Sequence, residues 1–260
     1  IKQLGVPAGG IIAAGNGALV TLVHWQDIML GIAAAIALNG ILCLYLMKFH
    51  RPIPPEQQKN PLAQIGEVLG DPNTHVFSVS NGLLNVGQTN FFGFLTLFLT
   101  EVARVSQPMA GFAMGLAQTA SFFARIYFGA LSDKFVGRRV VLCNWICGTA
   151  AVFLAAMIWV TPGWGLWYAM ALVLVLGVTI ASFAPVGQAI ALEMVDPRLA
   201  ASAVGYSMVG VHIGGMMGPV IFGYVVDTWG GYDNAWLVTA GLVAIGVGLL
   251  AFKFREGPPK

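Results

Sequence analysis

The residues of this chain that could take part in chemistry are polar side chains placed inside long apolar stretches. Ser78, Asn81, Asn85 and Gln88 recur at spacings of three, four and three residues. These spacings place them on one face of a helix, over about 15 Å of its axis. A polar side chain that faces lipid is costly, so this face is expected to line a polar cavity or to bind a neighbouring helix. Both interpretations remain open.

Four further polar residues inside apolar stretches are candidates for the same cavity. They are Gln118, Asn144, Gln188 and His212. His212 could carry a proton, since the pKa of histidine lies near physiological pH. The alternative is a neutral histidine that is hydrogen-bonded between two helices.

Composition indicates that the helices carrying these residues lie in a bilayer. Hydrophobic residues make up 57% of the 260 residues and charged residues 9%, whereas roughly a quarter of a soluble globular chain is charged. Most of the surface must therefore face lipid or other helices. Cys43, Cys143 and Cys147 all fall in apolar stretches without a nearby His or carboxylate, which favours packed, reduced cysteines over a metal site.

Eight stretches are long enough to cross a bilayer core of about 30 Å, which needs about 20 apolar residues per helix. Their hydrophobicity is continuous, whereas β-barrel strands would alternate. The stretches are residues 4–23, 28–47, 75–100, 107–131, 139–160, 165–192, 199–226 and 234–253. The sequence therefore predicts an all-α, polytopic membrane helical bundle.

The distribution of Lys and Arg predicts its orientation. With both ends of the chain in the cytoplasm, only Arg104 falls in an outside loop. Eleven basic residues then fall inside: Lys2, Lys48, Arg51, Lys59, Lys134, Arg138, Arg139, Arg198, Lys253, Arg255 and Lys260. This is a strong positive-inside bias, and it supports the helix count independently of hydropathy.

The most specific pattern lies between the fourth and fifth predicted helices. It comprises Gly129, Asp133, Lys134, Gly137, Arg138 and Arg139. This stretch resembles the cytoplasmic signature of the major facilitator superfamily, in which a glycine precedes an Asp–basic pair and then a glycine and two basic residues. It departs from that signature by one extra residue between Lys134 and Gly137. A plain basic loop with a chance aspartate is the alternative.

Three other stretches agree with this resemblance. Residues 214–227, which include Gly214, Gly218 and Pro219, look like the eleventh helix of the superfamily, and residues 231–236 resemble the start of its last helix. The glycine-rich start of the chain resembles the fifth helix through Gly5, Gly9, Gly10, Gly15 and Gly17. Gly5 and Gly9, and likewise Gly214 and Gly218, are spaced for close helix contact.

The resemblance implies a division of the chain. Residues 1–47 would supply the last two helices of the N-terminal half, residues 48–74 the central cytoplasmic loop, and residues 75–260 the C-terminal six-helix half with its tail. Eight of twelve helices would then be present, and the chain would be part of a longer product. Residues 62–69 could form a short surface helix within the loop.

The resemblance also implies a cytoplasmic gate. Its members would be the residues of the signature together with Glu193 and Arg125. Glu193 resembles the acidic partner of the signature in this superfamily. Arg125 lies about 12 Å from Asp133 along the helix, and it is expected either to pair with Asp133 or Glu193 or to contact an anionic substrate.

The function implied by the resemblance is ion-coupled transport by alternating access. The substrate would be a small polar solute, with an organic or inorganic anion preferred, and the coupling ion a proton or sodium. A monomer in the cell membrane is expected, with no cofactor and no metal. A drug or metabolite efflux antiporter is the first alternative, and a membrane-embedded enzyme is a more distant one.

Motif searches argue against enzymatic and nucleic-acid-binding functions. The stretch from Gly205 to Gly210 misses the spacing of a nucleophile elbow by one residue, and Gly15–Asn16–Gly17 lacks the third glycine of a dinucleotide fingerprint. No Gly-Lys-Ser/Thr phosphate-binding loop occurs. Nothing in the sequence supports nucleic-acid binding.

Overall fold

A computed structural model describes residues 4–19, 23–48, 61–135 and 138–255 of the protein. Every regular element in these ranges is a helix. The α-helices are α1 (Gly5–Leu19), α2 (Trp25–Met47), α3 (Pro61–Leu69), α4 (Pro72–Glu101), α5 (Gln107–Ser132), α6 (Arg139–Ala155), α7 (Gly165–Val178), α8 (Ala184–Glu193), α9 (Ala200–Thr228) and α10 (Tyr232–Phe252). The predicted all-α fold is confirmed.

Most of the predicted helices lie where hydropathy places them. The described helices α4, α5, α6, α9 and α10 cover the third, fourth, fifth, seventh and eighth predicted stretches, with ends that shift by a few residues. By length and composition, four described segments can cross a membrane: Trp25–Met47, Arg139–Trp159, Pro197–Thr228 and Tyr232–Phe252. The protein is thus a multi-pass membrane protein.

The helix predicted over residues 165–192 is interrupted. The chain forms α7, leaves helical geometry at residues 179–183 and begins again as α8. Pro185 stands at the start of α8. A proline inside a helix removes one N–H and clashes with the carbonyl four residues earlier, here that of Ala181. Hydropathy did not reveal the break because the broken segment is as apolar as its flanks.

The centre of the bundle is the contact between α4 and α9. A Cβ atom at Gly210 would overlap the backbone of Ser78, and one at Gly214 would overlap the backbone of Gly82. The two helices therefore approach at backbone distance, as small residues allow. By contrast, a Cβ at Gly5 or Gly9 would meet nothing within 4 Å, so the close packing expected there is absent from the described residues.

Several other helices pack around this pair. Helix α10 packs on α4, α6 and α9, and α5 packs on α7 and α1. Cys143 and Cys147 are buried as expected. Cys43 is exposed on α2, a helix with no buried residue, so its predicted packing is wrong for the part of the chain that the structure describes.

The end of the predicted central loop contains the expected short helix, α3. It packs on α9 through Val68, Leu199 and Ala203, and Glu67 forms a 3.0 Å ion pair with Arg198. Asp71 caps α4 by accepting a hydrogen bond from the backbone of Asn73. Residues 49–60 lie outside the described ranges, as do Lys2, Arg51, Lys59 and Lys260 of the predicted charge pattern. The division of the chain at this loop stays a prediction.

Candidate functional site

A cavity of about 220 Å³ lies inside the bundle, with walls from α1, α4, α5, α8 and α9. Most of its polar lining comes from the side chains singled out in the sequence. The lining residues are Val6, Asn81, Asn85, Gln88, Arg125, Phe183, Ala184, Gln188, Met208, Val211 and His212. Arg125 is the one charged residue in this set.

The polar face of α4 both lines the cavity and binds α9. The Nδ2 atom of Asn81 donates to Ser207 Oγ at 2.9 Å, and that of Asn85 donates to the carbonyl of Val211 at 2.8 Å. Ser78 Oγ donates to the carbonyl of Tyr206 at 3.2 Å. This face of α4 therefore does both things considered for it: it binds a neighbouring helix, and it lines a cavity. The amide nitrogens hold the helices in register, while the same side chains form part of the cavity wall.

Arg125 binds the break between α7 and α8. Its Nη2 and Nε atoms donate to the carbonyl oxygen of Ala181 at 2.7 and 3.1 Å. Its Nε atom is also 3.2 Å from Ser121 Oγ, one turn earlier on α5. The guanidinium is thereby held in a single orientation on the cavity wall, and the residue is only 4% exposed.

The carbonyl oxygen of Ala181 accepts hydrogen bonds from two further side chains besides that of Arg125. Gln88 Nε2 donates to it at 3.0 Å, and Ser121 Oγ donates at 2.9 Å. In a continuous helix this oxygen would accept from the N–H of residue 185, but Pro185 has none. The proline therefore exposes an acceptor inside the membrane, and three side chains from α4 and α5 converge on it.

The other polar groups at the break are also satisfied. Ser182 Oγ donates to the carbonyl of Gly177 at 2.8 Å, so the end of α7 is capped by a side chain. The backbone N–H of Ala181 donates to the carbonyl of Leu176. Broken backbone inside a membrane protein is tolerated when it is buried in protein or lines a cavity, and this break does both.

A second polar cluster lies where α5 and α8 end. Arg139 Nη2 is 2.9 Å from Glu193 Oε1 and 3.7 Å from Asp133 Oδ1. Arg139 Nη1 donates to Ser132 Oγ at 2.8 Å. The arginine side chain is 12% exposed, compared with 78% for Asp133 and 41% for Glu193. One shielded guanidinium thus ties the first residue of α6 to the ends of two other helices.

The sequence model of the major facilitator superfamily matches residues 1–175 and residues 77–260, which together span the chain. The chain belongs to the major facilitator superfamily. A solved structure with a similar fold is that of a bacterial homologue of the human lysosomal transporter Spinster, in an inward-facing and unoccupied conformation. The TM-score is 0.61 at 16% identity, and the match covers 98% of this chain and 71% of the other. At this identity the likeness shows the fold alone.

Membership of the major facilitator superfamily places the chain among secondary transporters. The structure brings five of the seven predicted cavity residues to one cavity: Asn81, Asn85, Gln88, Gln188 and His212. Gln118 is half-buried on α5, against Gly10 of α1, and does not line that cavity. Asn144 lines a separate groove between α6 and α10. These two residues are corrections. Gln118 shares the helix face of Arg125 but lies about 10 Å further along α5, and Asn144 is carried by α6, which contributes no wall to the cavity.

The expectation that Arg125 pairs with Asp133 or Glu193 is also corrected. The ion pairs of both carboxylates go to Arg139, whereas Arg125 reaches the break at Ala181 and lines the cavity. The reason is distance, since two helical turns separate Arg125 from Asp133.

The remaining residues of the signature lie in different surroundings from Asp133 and Arg139. Lys134 and Arg138 are exposed, and Gly137 lies outside the described residues. A Cβ at Gly129 would meet nothing within 4 Å, so the close helix approach expected there is absent from the described residues.

The hydrogen bond of His212 is not the interhelical one considered in the sequence analysis. Its Nδ1 atom lies 2.6 Å from the carbonyl of Met208 on its own helix, rather than from a neighbouring helix. Since a carbonyl only accepts, Nδ1 carries the proton in the neutral ring and Nε2 is the basic nitrogen.

Sequence reasoning missed the two residues that complete the Arg125 cluster, Ala181 and Ser182. An apolar residue that acts through its carbonyl has no side-chain signal. The available signal was Pro185 inside an apolar stretch, because a proline implies an unpaired carbonyl four residues earlier.

Proposed function

We propose that the intact protein carries a small anionic solute, with Arg125 as the group that attracts and orients it. Within the described lining, this guanidinium is the only charged group, and no Asp or Glu faces the cavity. A buried cation in a low-dielectric wall raises the local concentration of anions and interacts with them more strongly than it would in water. This lining is the observation that carries the proposal.

The neutral lining suits the same kind of solute. The amides of Asn81, Asn85, Gln88 and Gln188 can donate to the oxygens of an anion, and they add no opposing charge. Pockets for drug-sized ligands measure about 300–1,000 Å³, and this cavity is smaller at about 220 Å³. The part of the cavity that the described helices form is thus small, which supports a small solute over the substrates of a drug efflux antiporter.

The Arg139 cluster serves as the gate in this proposal. It joins the ends of α5 and α8 to the start of α6 through contacts that are partly exposed to solvent. Such contacts can break and re-form as two halves of a transporter rock about a central site. The positive-inside bias of the sequence supports a cytoplasmic location for this end of the bundle and for both ends of the chain.

The proposed coupling ion is a proton, with sodium as the alternative, and the proposed location is the cell membrane. His212 supports proton coupling, since it lies on the cavity wall and its Nε2 is the basic nitrogen. A protonated imidazole there would add a second positive charge facing the anion. The proposal treats the transporter as a monomer.

A thermal-shift screen of the purified full-length protein tests the substrate class. The panel would contain small organic and inorganic anions, matched neutral analogues and cationic drugs. We expect only anions to raise the unfolding temperature, and Arg125→Gln to remove that shift. Arg198→Gln serves as the matched control, because Arg198 pairs with Glu67 at the surface, outside the cavity lining.

Uptake into proteoliposomes then tests transport. The anion that stabilises the protein should enter in a saturable manner and faster when a proton gradient is imposed. Stabilisation by cationic drugs but not by anions would contradict the proposed substrate class. Uptake that does not saturate would contradict a carrier.

A further inference from the structure

A groove on the outer surface of the bundle lies between α6 and α10, away from the central cavity. Its volume is about 670 Å³. Its lining includes Asn144, Trp145, Gly148 and Val152 of α6, together with Leu250 of α10 and Phe254. No residue is shared with the lining of the central cavity, so the groove needs its own explanation.

The walls of this groove are mostly apolar and its edge is open. Trp145 is 74% exposed, and Val152 is also exposed. A Cβ at Gly148 would meet nothing within 4 Å, so the floor has room for additional atoms. In a membrane such a groove fills with apolar chains, because an empty space forfeits contacts on one side.

One polar atom in the lining has no partner. Asn144 Oδ1 is buried without a hydrogen bond among the described residues. Thr149, the other polar residue of the lining, is satisfied by the carbonyl of Trp145 at 2.8 Å. A buried amide oxygen without a partner is destabilising, so the groove lacks a hydrogen-bond donor as well as apolar contacts.

Basic residues flank the end of the groove where α6 begins and α10 ends. Arg138 precedes α6, while Lys253 and Arg255 bracket the lining residue Phe254. All three are exposed, and none forms an ion pair with another residue that the structure describes. The lining contains no acidic residue. This end of the groove is therefore complementary to an anion.

The depth of Asn144 in the bilayer is consistent with a lipid headgroup at the basic end of the groove. It lies about 9 Å from Arg138 along the axis of α6. Because the headgroup layer on each side of a bilayer is only about 5–8 Å thick, a headgroup beside Arg138 would place Asn144 near the boundary with the hydrocarbon. At that depth a phospholipid brings interfacial water, which can donate a hydrogen bond to Asn144 Oδ1, and ester carbonyls, which can accept one from Asn144 Nδ2.

We infer that this groove binds one anionic phospholipid. An acyl chain lies along α6 and α10 against Trp145 and Leu250, the ester region lies at Asn144, and the phosphate lies among Arg138, Lys253 and Arg255. Basic pockets between transmembrane helices are a recognised form of lipid site. The site is independent of the transported solute.

The experiment compares phosphatidylglycerol with zwitterionic phosphatidylcholine of identical chains, added to delipidated full-length protein and counted by native mass spectrometry. The wild-type protein should bind one phosphatidylglycerol at least about tenfold more tightly than phosphatidylcholine. Replacing both Arg138 and Lys253 by Gln should abolish the preference. Gly148→Leu should weaken the binding of this one lipid at least tenfold, because the new side chain fills the groove.

Gly241→Leu provides the matched control, since a Cβ at Gly241 also meets open space but lies outside the groove. It should bind lipid as the wild type does. Circular dichroism of all variants separates lost binding from lost folding. Equal affinity for the two lipids, an unchanged preference in the charge variant, or unimpaired binding by Gly148→Leu would each overturn the inference.

Discussion

Arg125 Nη2 donates to the carbonyl oxygen of Ala181 across 2.7 Å, and this bond joins α5 to the break between α7 and α8. The acceptor is available because Pro185 cannot supply the N–H that would otherwise bond to it. Pro185 thus determines where the guanidinium of Arg125 is held on the cavity wall.

Restoring a backbone N–H at residue 185 should weaken the hydrogen bonds that hold Arg125 at the Ala181 carbonyl. In Pro185→Ala, residue 185 can donate to Ala181 and compete with Gln88, Ser121 and Arg125 for the same oxygen. We expect anion affinity to fall about tenfold while the unfolding temperature is kept or raised, because the helix gains a backbone bond. Thermal-shift titration measures both quantities.

Pro219→Ala is the matched control for this prediction, since Pro219 lies inside the apolar helix α9 and concerns the carbonyl of Gly215, four residues earlier, rather than that of Ala181. Equal loss of affinity in both variants would show that the effect comes from general helix flexibility and not from the Ala181 carbonyl.

The two acidic partners of Arg139 should contribute unequally to gating. Glu193 lies at 2.9 Å and is the less exposed, whereas Asp133 lies at 3.7 Å and is largely in solvent, where ion pairs are weak. We expect Glu193→Gln to slow turnover about tenfold and Asp133→Asn about threefold, with substrate affinity nearly unchanged in both. Uptake kinetics in proteoliposomes give the maximal rate and the half-saturating concentration separately.

Two results would contradict this gate assignment. One is a large loss of affinity with intact maximal rate in either variant, which would place the carboxylate in substrate binding. The other is a larger effect for Asp133→Asn than for Glu193→Gln, which the distances and exposures do not allow.

The backbone contact between α4 and α9 should be intolerant of a single methyl group. Gly214→Ala places a Cβ against the backbone of Gly82, which cannot move aside as a side chain does. We expect a loss of about 1–3 kcal/mol, as for other overpacked positions, measured by denaturation in detergent. Gly205→Ala on the same helix meets open space, so it should be neutral or slightly stabilising. Comparable effects at both positions would argue against close packing.

His212 should determine the response of uptake to pH if the coupling ion is a proton. In His212→Gln the cavity keeps a polar residue but loses its titratable group. We expect uptake to continue at a reduced rate and to lose its dependence on an imposed pH gradient, measured in proteoliposomes with and without the gradient. His75→Gln is the control, since His75 bonds to Tyr206 and Leu69 outside the cavity. Unchanged gradient dependence in His212→Gln would exclude this residue as the proton site.

Much of this architecture could be predicted from the sequence, because whether a helix is stable in a bilayer depends on its composition and length. The positions of α5, α9 and α10 followed from hydropathy within a few residues, and the spacing of Asn81, Asn85 and Gln88 fixed their common helix face, which lines the cavity. The resemblance of residues 129–139 to a family signature pointed to the superfamily that the family model confirms. Each of these properties is local, belonging to a helix or a loop before it packs.

Only the tertiary structure decided which partners the polar groups would take. Arg125 and Ala181 are 56 residues apart, and their meeting depends on how α5 packs against a helix whose break hydropathy could not show. The same holds for Asn144, which has the composition of a cavity residue but is carried to the outer groove by the orientation of α6. A sequence determines which groups a membrane helix must satisfy, whereas the relative position and rotation of the packed helices determine what satisfies them.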